Sequence, residues 1–143
     1  MKNKAMSLLS AAEVQKMISE ALPLALETQF SVVEINETGA VVEMTPRESD
    51  LRPGGTVSGP LVMAVADAAM YCAILSRNGG EMAVTSQMSI NFLSRPKPSV
   101  LRGDAEILKW GKRTVFCEVR IYCGSEKSAV AIVTGSYSLP SLE

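Results

Sequence analysis

Histidine is absent from the 143-residue chain. That absence removes Ser-His-Asp and Cys-His catalysis, His-ligated metals, and any reaction whose acid or base must be an imidazole. Chemistry in this chain must use carboxylates, hydroxyls and backbone donors. Cysteine is scarce and odd in number: Cys72, Cys117 and Cys123 show no C-x-x-C spacing, so neither a disulfide framework nor a zinc knuckle is indicated. They read as reduced thiols of a cytosolic protein. An excess of one charge is missing too, and a net charge of -1 gives no bulk attraction to nucleic acid or to an anionic membrane. The N-terminal MKNKAMSLLS has basic residues but no apolar stretch followed by a small-residue cleavage site, so a secretory signal is not expected. The longest apolar run, residues 60–75, is shorter than the ~20 positions of a bilayer span and carries Asp67 mid-run. A buried helix is expected instead, and no membrane partner.

What remains is a length suited to one domain over residues 1–143, with residues 1–9 as a flexible tail, and a composition of 47% hydrophobic and 20% charged residues, ordinary for a globular protein. Ser10-Ala11-Ala12-Glu13 has the spacing of a capping box, and Val14, Met17, Ile18, Ala21 and Leu22 then fall on one helical stripe until Pro23. Two β-branched segments, FSVVEINETG and AVVEMTP, predict a hairpin around Glu37-Thr38-Gly39. RESDLRPGGTVSG is loop, and it delivers the chain to the apolar helix. Beyond the turn signal Asn78-Gly79-Gly80, four strands are expected, in EMAVTSQMSINFLSRP, VLRGDAEILKW, TVFCEVRIYC and SAVAIVTGSYSLP. In the third of these Val115, Cys117, Val119, Ile121 and Cys123 alternate with Phe116, Glu118, Arg120 and Tyr122, which predicts one buried sheet face.

The order is that of an α+β protein with a central helix packed on a curved antiparallel sheet of about six strands. A helix apolar nearly all round needs cover on every side, and one sheet face in a small domain supplies only part of it, so a second copy, most simply a two-fold dimer, is expected to supply the rest. Asp67 is the difficulty. Its neighbours at three, four and seven positions along a regular helix are Pro60, Met63, Ala64, Met70, Tyr71 and Ile74. An ionised carboxylate there must be neutralised by a raised pKa, bonded to donors from elsewhere, or opened to a water-filled cleft.

Residues 50–76, DLRPGGTVSGPLVMAVADAAMYCAILS, together with TSQMSINFLSRP at 85–96, resemble the hotdog-fold acyl-CoA thioesterases of the phenylacetyl-CoA thioesterase-like group. The likeness runs in element order from about residue 25 to 138 and is most specific across 54–96. It implies a hotdog fold, a helix wrapped by an antiparallel sheet, assembled as dimers or tetramers with active sites at the dimer interface. Carried onto this chain, it implies Asp67 as the catalytic carboxylate and Gly59 as the glycine whose backbone N–H binds the oxyanion. It also implies Thr85 as a hydroxyl contributed from the partner subunit. Ser58 and Pro60 give S-G-P where the group carries H-G-G, and Arg52 falls where several relatives have an Asn that helps place water.

Several of these residues have a second reading. Asp67 is a base or nucleophile in a cleft, or a structural acid bonded across an interface. Pro60 suits the first helical position with Gly59 as N-cap, which leaves N–H groups and the positive end of the helix dipole free for a thioester oxygen. Ser58 either caps the helix or orients the carbonyl in place of the imidazole. Thr85 positions water or simply reflects strand propensity, and Arg52 meets Asp67, a substrate carboxylate or solvent. Arg95 and Lys97, with Lys112 and Arg113 at a turn, are the basic groups nearest for coenzyme A phosphates, or ordinary exposed charges. Met63, Met70, Met82 and Met88 line an acyl tunnel or fill the core, and Cys72, with no cationic neighbour, reads as core. The expected function is hydrolysis of small or medium acyl- or aryl-CoA, with no metal or redox cofactor and coenzyme A present only as part of the substrate. The rivals are a non-catalytic acyl-CoA-binding protein and a hotdog dehydratase, the latter weakened by the missing histidine.

Overall fold

The computed structural model describes residues 8–21, 30–77 and 83–140. Helix α1, Ala11–Ala21, begins at the expected capping box: Ser10 N donates to Glu13 Oε1 at 2.9 Å and Glu13 N to Ser10 Oγ at 3.1 Å. Val14 and Ile18 are fully buried. Leu9, expected in a tail, donates its N–H to the Ser76 carbonyl at 2.9 Å and packs on the core. Leu22, Pro23, the Asn78-Gly79-Gly80 turn and Met82 lie outside the described residues.

Strands β1, Phe30–Ile35, and β2, Gly39–Met44, form the hairpin, turned by Asn36, whose Oδ1 accepts from the N–H groups of Thr38 and Gly39, each at 2.9 Å. After a short 3-10 turn at Glu48–Asp50 comes α2, Gly59–Leu75. Strands β3, Val84–Phe92, β4, Leu101–Trp110, β5, Thr114–Cys123, and β6, Ala131–Ser138, complete one antiparallel six-stranded sheet. The order across it is β1-β2-β4-β5-β6-β3, with β1 and β3 at the edges. This is the α+β hotdog architecture: α2 packs on one face of the sheet, chiefly against β2, β4 and β5. The alternation in β5 is as expected, with Val115, Cys117, Val119, Ile121 and Cys123 buried against the helix.

The two edges differ. Along β1, the Gln15 side chain of α1 takes up backbone groups, its Oε1 accepting from Val32 N at 2.6 Å and its Nε2 donating to Phe30 O at 3.3 Å. Strand β3 has β6 on one side only and is exposed along most of its length, including Val84 at 60% and Phe92 at 51%. Next to it the sheet leaves one stripe of α2 uncovered: Pro60, Met63 and Ala64 are exposed, and Asp67, Ala68 and Tyr71 are half-buried. The helix is therefore apolar on a face that the described residues leave uncovered.

Gly39 opens β2 where the strands approach closely. A Cβ built there falls 1.8 Å from the Ala105 carbonyl oxygen of β4, which backbone pairing holds in place. Gly39→Ala is expected to destabilise the fold by about 3 kcal/mol, read as a lower urea midpoint with an unchanged slope.

Candidate active site

Asp67 projects from the uncovered stripe of α2 beneath the β3–β6 ladder. Thr85 Oγ1 donates to Asp67 Oδ1 at 2.8 Å. The Tyr137 hydroxyl donates to the same oxygen and lies 2.9 Å from the Asp67 backbone carbonyl oxygen. Thr85 and Tyr137 are opposed across the ladder, and the register shifts just beyond, between Thr85 and Gln87. A bulge at that point bends the edge strand and re-aims its side chains. The charge on the apolar helix is thus accommodated by hydroxyl donors on one oxygen and by solvent access from the uncovered side, where the residue is half-buried.

Tyr137 is the functional-site residue that sequence reasoning missed. Alternation with Val133 and Gly135 puts it on the buried face of β6, and it is 2% exposed. A core-facing tyrosine has to find a partner for its hydroxyl, and that requirement was the available signal. Its ring stacks on Tyr71, with centroids 6.2 Å apart and 20° between planes. Burial first, then the adjacent Asp67 charge and hydrogen bond, push its phenol far above the usual range, so it remains a proton donor at any ordinary pH.

The other expected residues fall into separate places. The resemblance implied Thr85 from a partner subunit; here it reaches Asp67 of its own chain, because β3 returns beside β6 directly over the helix. Ser58, not Gly59, is the N-cap of α2, its Oγ accepting from Leu61 N at 3.4 Å, so Gly59 and Pro60 move one position into the helix. The Gly59 N–H then belongs to the first turn, where no intrahelical acceptor exists. Gly59 lines a cleft of about 400 Å³ with Arg52, Val57, Phe92 and Arg95.

The loop that brings Arg52 there is closed by Arg52 N to Thr56 O at 2.7 Å, through Gly54 and Gly55 at φ of 100° and 85°. It is tied to the Arg95 segment by Val57 N to Pro96 O at 3.0 Å. Neither Arg52 nor Arg95 has an ion-pair partner among the described residues, and Arg52 does not meet Asp67.

Pro60 and Lys97 are exposed and outside the lining of this cleft. Lys112 and Arg113 border a different, shallow depression with Lys109 and Phe116. Met70 is core, Met88 partly buried and packed on the core, and Met63 exposed. Among the described residues no group of three metal-ligating side chains occurs, and no helix is long and apolar enough to cross a membrane.

A family model of the thioesterase superfamily matches residues 54–130, more than half of the chain. The chain belongs to the thioesterase superfamily. The superfamily match includes Gly59, Asp67 and Thr85 and stops short of Tyr137. A Saccharolobus solfataricus protein that carries the name of an esterase is 25% identical over 108 residues, 76% of this chain and 77% of that one. A crystal structure from Silicibacter, named for a thioesterase, superposes with a TM-score of 0.87 at 30% identity, covering 96% of this chain and 97% of the other. The Escherichia coli PaaI protein, from the phenylacetic acid degradation operon, shares the fold with a TM-score of 0.81 at 24% identity over 92% and 94% of the two chains.

All three cysteines of this superfamily member are buried as free thiols. Burial pushes the Cys72 thiol up to about 12 and, against the nearby Arg77 charge, Cys117 up to about 11. Cys123 is raised as well, by burial first. Because the thiolate is the reactive form, Ellman's reagent at pH 8 is expected to label the native protein slowly and to titrate all three thiols at once in guanidinium. Fast labelling of the native protein contradicts this placement.

Proposed function

We propose that the protein is an acyl-CoA thioesterase acting on small or medium acyl- or aryl-CoA thioesters, with its sites at the interface of a homodimer. The observation that carries the reading is the half-buried Asp67 carboxylate, bonded through one oxygen to Thr85 and Tyr137 on an otherwise apolar helix face. A carboxylate so placed takes a proton from water as the water oxygen attacks the acyl carbon, or attacks that carbon itself to form an acyl-aspartate anhydride that water then hydrolyses to the free acid. The thioester oxygen gains charge in that step and is met by the Gly59 N–H and the positive end of α2. Collapse breaks the C–S bond, and coenzyme A departs as the thiol, its sulfur taking the proton that left water in the first route and one from solvent in the second. Coenzyme A enters as part of the substrate, and the reaction requires no other cofactor.

Geometry favours two copies per site. Gly59 and Asp67 are eight residues apart on one helix, about 12 Å of axial rise, and the Gly59 cleft does not include Asp67. A second copy joined along the free β3 edge, with its α2 antiparallel to the first, puts Asp67 of one chain opposite Gly59 of the other. The same contact buries Met63 and the exposed apolar residues of β3, and it satisfies an edge strand that otherwise invites pairing. Arg52 and Arg95 then flank the acyl or phosphate groups entering the cleft.

Ser58 favours the second reading, a protein that binds acyl-CoA without cleaving it, since its hydroxyl is occupied in capping the helix and does not stand in for an imidazole. Thiol release from a panel of short, medium and aryl acyl-CoAs separates the two. Turnover is expected with the native protein and a loss of about 10²-fold or more in kcat with Asp67→Asn; tight binding with no release above buffer selects the second reading. Mixing Asp67→Asn with Gly59→Val subunits tests the shared site. Exchange is expected to restore activity neither variant has alone, because one site in each mixed dimer then holds both native residues. Arg95→Ala is expected to raise KM several-fold with kcat little changed.

A further inference from the structure

The two hydroxyls on Asp67 are not equivalent in kind. Thr85 is exposed on a bulged edge strand. Tyr137 is almost wholly buried in β6, second from the edge, with its ring against Tyr71 and its hydroxyl between the Asp67 carboxylate and the Asp67 backbone carbonyl. A phenol has one proton to give, and an ionised carboxylate is the stronger acceptor of the two. Both hydroxyl protons therefore converge on Oδ1, and Oδ2 has no hydrogen-bond partner among the described residues.

We infer that Tyr137 is a positioning residue for the proposed thioesterase reaction: with Thr85 it pins Oδ1 of Asp67 and so leaves Oδ2 as the atom that meets water or the acyl carbon. The inference rests on the thioesterase reading for its consequence and on the contact itself for its substance. An aspartate side chain on a helix is confined at χ1 to a few staggered wells but turns broadly about χ2 when nothing holds its carboxylate. Two donors from adjacent strands, one of them locked in the core, fix both the carboxylate plane and the identity of the free oxygen. The phenol is suited to this because it stays protonated next to the charge; a group that titrated near neutrality would release the carboxylate part of the time. Ring stacking sets the direction of the hydroxyl without a further hydrogen bond.

Tyr137→Phe removes the hydroxyl and keeps the ring. Expected are a kcat lower by about tenfold or more, the range for a hydrogen bond to a charged group, an unchanged KM, and a melting temperature within a few degrees of the native value. Tyr122→Phe, on the outer sheet face, serves as the control and leaves kcat alone. Because Tyr137 is argued to act through Asp67, the double variant Asp67→Asn/Tyr137→Phe is expected to be no slower than Asp67→Asn; a purely structural role gives additive losses instead.

A protein labelled with fluorotyrosine shows three resonances, one for each tyrosine in the chain. The one lost in Tyr137→Phe is expected to move most in Asp67→Asn. Native kcat in Tyr137→Phe, additive losses in the double variant, or a Tyr137 resonance indifferent to Asp67→Asn overturns the inference. Failure of the thioesterase reading looks different: no thiol release by the native protein. In that case the kinetic role falls with it, and the labelled spectrum alone decides whether the hydroxyl holds the carboxylate.

Discussion

One mismatch governs this structure: a helix apolar around nearly its whole circumference rests on a sheet that covers only part of it. The covered side, from Leu61 and Val62 through Val65, Ala66 and Ala69 to Ile74, is packed on β2, β4 and β5 and supplies much of the core. The uncovered side holds Pro60, Met63, Ala64 and Asp67. Apolar surface of that kind at the only charged position of the helix is costly unless something else is gained, and what is gained is a carboxylate poised between dry packing and open solvent. Both the assembly and the chemistry proposed above follow from that incomplete cover.

Local order was legible in the sequence wherever neighbouring residues decide it. The reciprocal Ser10–Glu13 cap, the hairpin around Glu37-Thr38-Gly39, the alternation of β5 and the extent of α2 all follow from local residue pattern, and they stand in the structure within a residue or so. The α2 cap belongs to the same scale: of the two caps read from the sequence, Ser58 and Gly59, the serine has an oxygen to accept the first-turn N–H and the glycine has no side chain to do so.

What could not be read locally is the convergence of distant segments. Thr85 and Tyr137 meet because β3 crosses to the far side of the sheet and pairs with β6 in a register that a bulge then shifts. Neither the crossing nor the bulge has a marker in residues 83–92. Arg52 and Arg95 share a cleft through a backbone bond from Val57 to Pro96, equally silent in side-chain pattern. Lys97, two residues from Arg95, is exposed and does not line that cleft. Proximity in sequence was therefore a poor guide to the site, and face alternation within strands a better one.

The unequal sheet edges carry one last consequence. Gln15 occupies backbone groups of β1 that a foreign strand would need, while β3 stays open. A molecule with two open edges templates its neighbours without end and runs on into fibres. With Gln15 bonded to Phe30 and Val32, β1 has fewer free backbone groups to offer a foreign strand than an unoccupied edge would have.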